Sequence, residues 1–166
     1  ARPAGKAMVH DIKYASESVE SKLERIEACI EIQQADAMLV AALDCIAWAL
    51  NLRGTDVAFT PVVTSFLYIS EPETVLFIDP DKVTDEVARH LKASGVKVKN
   101  YDDVEKYLGK IRENVSVLVD PDEVNDRLAS AIASKIFAKN PIAMLKGVKN
   151  EVEIEGFRRA MERDGA

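Results

Sequence analysis

The stretch Asn51-Leu52-Arg53-Gly54-Thr55-Asp56 holds the residue types in this chain that could do chemistry at close spacing. The Arg53 guanidinium offers five donors in a rigid fork that suits a carboxylate. Asp56 stands near enough in sequence to be its partner. Asn51 or Gly54 can take the unusual backbone angle that ends a helix or a strand. Two readings stand side by side. In the structural one, Arg53 and Asp56 clamp each other and shape the loop. In the functional one, the loop faces outward and helps line a site completed by another domain or subunit. The nearby aromatics Trp48 and Phe59 read as core or interface residues rather than ligand stackers.

Other chemistries find little support. His10 lies beside Asp11, and His90 stands among Arg89 and Lys92, so each reads as a solvated or loosely paired imidazole and not as a metal ligand. No H-E-x-x-H, G-x-S-x-G, G-x-G-x-x-G or phosphate-binding G-x-x-x-x-G-K-[ST] motif occurs, and the seven glycines are scattered singly. The carboxylate groups of "DPDK", "DDVE" and "DPDE" stand where loops meet helices, and capping explains them. Cys29 and Cys45 lack the C-x-x-C spacing and read as two buried thiols of a reducing compartment, which points to the cytoplasm.

The totals frame these residues. A chain of 166 residues, 48% apolar and 30% charged, suits one globular domain with a closed core. A net charge of −6 argues against binding nucleic acid, whose partners carry basic surfaces. No apolar run approaches the roughly 20 residues needed to cross a bilayer, so no membrane partner is expected.

The elements that must position the loop follow from periodicity. Val19, Leu23, Ile26 and Ile30 form one helical stripe from Ser16 onward, with Ser16 or Ser18 as cap. "AMLVAAL" suits a buried strand and "LDCIAWAL" a short helix. "SFLYIS" and "TVLFID", joined by Glu71-Pro72-Glu73, suit an antiparallel hairpin. Thr84 to Ser94 predicts a helix stopped at Gly95. "VKVKNY" alternates as an edge strand does, and Asp102 with Glu105 suggests a capping box. "VSVLVD" predicts a strand, Val124, Leu128 and Ile132 a helix, "NPIAML" a last short strand, and the stretch from Lys149 a charged helix. The expected fold is α/β: a mixed, mostly parallel sheet of five or six strands with helices on both faces.

Two segments resemble one known family. "IAWALNLRGTDVAFTPVVTSFLYI" looks like the middle domain of Xaa-Pro aminopeptidases in their large cytosolic three-domain form. The matching positions are Ile46, Ala47, Trp48, Asn51, Leu52, Arg53, Gly54, Thr55, Asp56, Val57, Pro61 and Tyr68, then Leu76, Phe77, Ile78 and Asp79. "NPIAMLKGVKNEVEIEGFRRAMERDGA" resembles the approach to that family's catalytic domain, through Asn140-Pro141-Ile142, Lys146, Lys149-Asn150, Glu153, Glu155-Gly156, Arg158-Arg159-Ala160 and Asp164-Gly165-Ala166. Met161 departs from the pattern, where relatives often carry histidine.

The resemblance implies a creatinase-like middle domain over residues 16–145. Residues 1–15 would be a linker from a preceding domain, and residues 146–166 the start of a pita-bread catalytic domain. It implies a parent hydrolase that releases the N-terminal residue from peptides with proline second. Two divalent ions, usually manganese, would be held by aspartates, glutamates and a histidine beyond Ala166, with no metal and no catalytic residue in this segment. Asn51, Arg53, Gly54 and Asp56 would then be substrate-proximal or domain-contact residues. The partners implied are the chain's own catalytic domain, a second subunit and the peptide substrate. The alternative is a stand-alone interaction domain without peptidase activity.

Overall fold

The structure, a computed structural model, describes residues 2–165, except the side chains of Glu153, Phe157 and residues 160–164. In chain order its elements are β1 (Met8–Val9), α1 (Ile12–Ala15), α2 (Val19–Ile32), β2 (Ala37–Val40), α3 (Leu43–Leu50), β3 (Leu52–Arg53), β4 (Ser65–Ser70) and β5 (Thr74–Ile78). Then come α4 (Asp85–Ala93), β6 (Val96–Lys99), α5 (Val104–Gly109), β7 (Val117–Val119), α6 (Asp126–Ala131), β8 (Lys135–Phe137), α7 (Pro141–Gly147) and α8 (Glu151–Asp164). Single 3-10 turns at Pro80–Lys82 and Tyr101–Asp103 follow β5 and β6.

The six-stranded sheet runs β6-β5-β4-β2-β7-β8. β4 lies antiparallel to both β2 and β5, while the β5–β6, β2–β7 and β7–β8 pairs are parallel. This is the mixed, mostly parallel sheet the sequence predicts. Strand residues alternate between its two faces. Met38, Val40, Leu67, Ile69, Leu76 and Ile78 pack with the apolar stripes of α2, α3 and α4. Ala37, Leu39, Tyr68, Val75 and Phe77 pack on the other face with Val104 and Leu108 of α5 and Leu128 of α6. Both faces are therefore dry, and strands buried on two sides need the near-continuous apolar runs seen in β2, β5 and β7.

Local signals set most boundaries. Ser18, not Ser16, caps α2 by accepting from the Ser21 amide, and Ser16 instead takes the left-handed φ of 63° that closes α1. Thr84 caps α4 by accepting from Val87 N, and Gly95 follows the helix at φ 73°, an angle side chains resist. Two expectations are corrected. Asn100 rather than Asp102 caps the turn before α5, because its side chain reaches the Asp102 amide. "NPIAML" is helix α7 and not a strand, since Asn140 caps Ile142 N and Pro141 supplies the preset φ of a first turn. The last strand is instead the short edge β8, which the sequence reading passed over.

The stretch before α2 is structured. Met8 pairs with Arg53 and Val9 with Leu52, Ala7 is buried, and the Ala7 amide reaches the Lys82 carbonyl at 2.9 Å. At the other end, Asn150 Nδ2 donates to the Ala15 carbonyl at 2.7 Å. Val152 and Gly156 of α8 are exposed, while the side chains of Phe157 and Ala160, which the sequence groups with them, lie outside the described residues.

Candidate functional site

The Asn51–Asp56 stretch follows α3 at the end of the sheet where β2 finishes and β4 begins. Asn51 is the left-handed C-cap of α3, with φ 49° and ψ 49°, and its amide returns to the Ala47 carbonyl. Its side chain is buried and held from both sides. Lys22 Nζ donates to Oδ1 at 2.7 Å, and Nδ2 donates to the Glu17 carbonyl at 2.9 Å. Its own carbonyl accepts from the His10 amide at 2.8 Å. The unusual backbone angle is thus fixed by three contacts, from Lys22 of α2, Glu17 just before that helix and His10 just after β1.

Lys22 deserves its place in this site although the sequence reading passed over it. It is only 1% exposed, donates to the Trp48 carbonyl at 2.9 Å, and lies 4.4 Å from the Trp48 ring centroid. A buried ammonium needs such partners, and the ring face adds a cation–π attraction. The signal was present in the sequence: Lys22 falls among Val19, Leu23 and Ile26 on the apolar face of its own helix.

Arg53 and Asp56 do not clamp each other. Arg53 Nη1 donates to the Leu52 carbonyl of its own strand at 2.7 Å and to the Ala47 carbonyl in the last turn of α3 at 3.3 Å. That placement is favourable at a helix C-terminus. Asp56 turns inward, with its side chain fully buried. Its Oδ2 accepts from the Thr64 amide at 2.6 Å and from Lys82 Nζ. Burial pushes the Asp56 carboxyl up, but the hydrogen bonds from Lys82 and Thr64 outweigh it and hold the group below its ordinary range. Among the described residues Oδ1 has no hydrogen-bond partner.

Gly54 is required by close approach. A Cβ there would lie 2.8 Å from the Val62 carbonyl oxygen and 2.9 Å from Val63 Cβ. The Asp56 amide donates to the Val62 carbonyl at 3.2 Å, so Gly54, Asp56, Val62 and Thr64 form a tight neck. Beyond it, Val57 and Thr60 form an isolated bridge, and Phe59 stands at the tip, fully exposed at φ 63°. Trp48 belongs to the core and Phe59 does not.

The remaining candidates are accounted for locally. His90 Nε2 donates to the Leu50 carbonyl at 2.7 Å, and His10 stacks on Tyr14 with centroids 5.9 Å apart. Cys29 and Cys45 are free thiols, the first half-buried. Burial, reinforced by the Asp44 charge, pushes the Cys45 thiol up to about 12, so it is inert at neutral pH. Asp79 and Asp120 cap turns, as their positions before helices suggested. Among the described residues, no three His, Cys, Asp or Glu side chains are grouped to hold a metal ion. No helix of the described residues is long and apolar enough to cross a membrane.

The chain resembles known proteins over nearly all of its length. The chain is 33% identical over its whole length to a probable Xaa-Pro aminopeptidase P of Coprinopsis cinerea, covering 29% of that protein. It is 35% identical over 92% of its length to Xaa-Pro aminopeptidase 1 of Dictyostelium discoideum, covering 24%. The structure superposes with a TM-score of 0.93 on the X-prolyl aminopeptidase of Caenorhabditis elegans, described as a cytosolic enzyme with a di-nuclear active site. Identity there is 26%, over 99% of this chain and 28% of the nematode protein. The chain therefore spans under a third of the length of these relatives. Residues 1–153 match the Creatinase/Prolidase N-terminal domain, and with that match, the sheet order and the shared fold, this chain belongs to the creatinase/prolidase N-terminal domain family.

Proposed function

We propose that this chain is the non-catalytic, creatinase-like part of a cytoplasmic, proline-specific aminopeptidase, and that it shapes access to the active site rather than performing hydrolysis. The observation that carries the reading is the pairing of relatives with coverage. Those relatives are named Xaa-Pro aminopeptidases, and the chain accounts for only 24–29% of their length.

The nematode relative's di-nuclear site supports two metal ions in the parent enzyme, and manganese is the ion we assign. We assign its ligands to the part of the enzyme that this chain does not span; among the described residues no three His, Cys, Asp or Glu side chains are grouped to hold a metal ion. The peptide substrate, with proline second, is bound there. A metal-activated water would supply the nucleophile in such an enzyme. What this chain contributes is a surface. Asn51, Arg53, Gly54 and Asp56 set the shape of a loop that meets either the substrate entrance or the catalytic domain, and a second subunit can use the same face.

Arg53→Ala in the full-length enzyme tests the reading. The expected outcome is a clear fall in kcat/KM for a Xaa-Pro peptide with only a small drop in melting temperature from the lost carbonyl contacts. Lost stability with unchanged kinetics per folded molecule would overturn it. The 166-residue chain alone, given manganese and a Xaa-Pro peptide, is expected to show no turnover.

A further inference from the structure

A completely buried ion pair stands at the neck of the Gly54–Thr64 loop. The side chains of Lys82 and Asp56 are 3% and 0% exposed, and they come from segments 26 residues apart. Burying both charges is expensive, and apolar replacements of similar volume often serve stability as well or better. Net fold stability is therefore weak grounds for the pair, and its geometry says more.

Asp56 Oδ2 binds the Thr64 amide and Lys82 Nζ together, which joins both strands of the loop neck to the turn at Pro80–Lys82. That turn is itself tied down. The Lys82 amide donates to the Asp79 carbonyl at 3.0 Å, and the Lys82 carbonyl accepts from Ala7 N. The loop beyond the neck has little packing of its own, since residues 57–61 are all exposed. Its conformation, with Phe59 held outward at a positive φ, hangs on the neck.

We propose that Lys82 is a positioning residue, acting through Asp56 to hold the Gly54–Thr64 loop in the one conformation that presents Phe59. The proposal rests on the functional reading above for its effect on catalysis but not for its effect on the loop. Lys82 is itself buried, so any effect it has on the loop passes through Asp56.

The test compares Lys82→Met with the double variant Lys82→Met/Asp56→Asn, which leaves no lone buried charge and keeps an acceptor for the Thr64 amide. Amide hydrogen exchange is read in the 166-residue chain, and kcat/KM for a Xaa-Pro peptide in the full-length enzyme. The single variant is expected to be less stable and the double to regain most of the melting temperature. In the double, the Asp56 and Thr64 amides are expected to exchange at least tenfold faster than wild type while those of β5 are unchanged, and kcat/KM to fall about tenfold. Faster exchange with unchanged kcat/KM would sustain the positioning role and overturn the placement of the loop near substrate. Wild-type exchange at Asp56 and Thr64 in the folded double variant would overturn the proposal itself, whatever the kinetics.

Discussion

The two ends of the central strands treat charge in opposite ways. At the end where β4 begins, Lys22, Asn51, Asp56 and Lys82 are buried and bound to named partners. At the other end lies a groove of about 1240 Å³ between α2, the β4–β5 hairpin and the segment after α5. Its walls carry Glu24, Glu27, Glu31, Asp36, Glu71 and Glu73, against Lys110 and Arg112. Charges there remain near water: Lys97 bridges Glu73 at 2.7 Å with its own side chain 61% exposed. Buried pairs fix geometry at high cost in desolvation, whereas solvated ones contribute little to stability and leave geometry loose. The difference marks the loop end as the one whose shape is held by buried contacts.

The sharpest way to break this contrast is to remove one buried charge. Lys82→Met should destabilise the chain by about 3–5 kcal/mol, because it strands the Asp56 carboxylate in the interior. Urea denaturation measures it, and a loss below about 1 kcal/mol would show the pair to be as solvent-screened as the groove's. Gly54→Ala comes next, with an expected loss of about 1–3 kcal/mol from overpacking against Val62 and Val63. Thermal unfolding at several scan rates would check it.

A third substitution separates backbone from side chain. Asn51→Gly keeps access to the left-handed angle and loses only the contacts to Lys22 and Glu17, so about 1–3 kcal/mol is expected. Asn51→Ala should lose more, since it adds backbone strain. Equal losses would assign the whole effect to the side chain.

The smallest effect is at the groove, and it has the opposite pH sign. Burial first, then the Glu71 and Glu24 charges, raise the Glu27 carboxyl above its ordinary value of 4.5. The folded state therefore holds this proton more tightly than the unfolded chain, and Glu27 stabilises at low pH. That contribution disappears as pH rises from about 4.5 through the raised value. Asp56 behaves inversely: its lowered carboxyl stabilises above the unfolded pKa and loses that contribution as pH falls through the folded one. Glu27→Gln should slightly improve stability at pH 7 relative to pH 4, read from paired denaturation curves. A larger gain at pH 4 would contradict the assigned direction.

Much of the fold was legible because its signals are local. The apolar stripe of α2, the polar Glu71-Pro72-Glu73 link and the Thr84 cap each act within a few residues. The "NPIAML" misreading shows the limit of periodicity, for a run of four apolar residues fits a strand or a helix equally until Asn140 and Pro141 are read as cap and first turn. β8 was missed because three edge residues with a lysine among them carry almost no pattern. At the site, the left-handed Asn51 and the tight Gly54 were readable from residue type. The partner of Asp56 was not. Arg53 is near in sequence, but Lys82 reaches the carboxylate only because β5 runs beside β4 and delivers the turn that follows it.

The bond from Asn150 to the Ala15 carbonyl has a mechanical consequence. It ties the end of α1 to the residue before α8, so residues 16–149 form a long loop of chain closed at its base by a side-chain bond. A load pulling Ala15 away from Asn150 would meet that bond and the α1–α8 contact first.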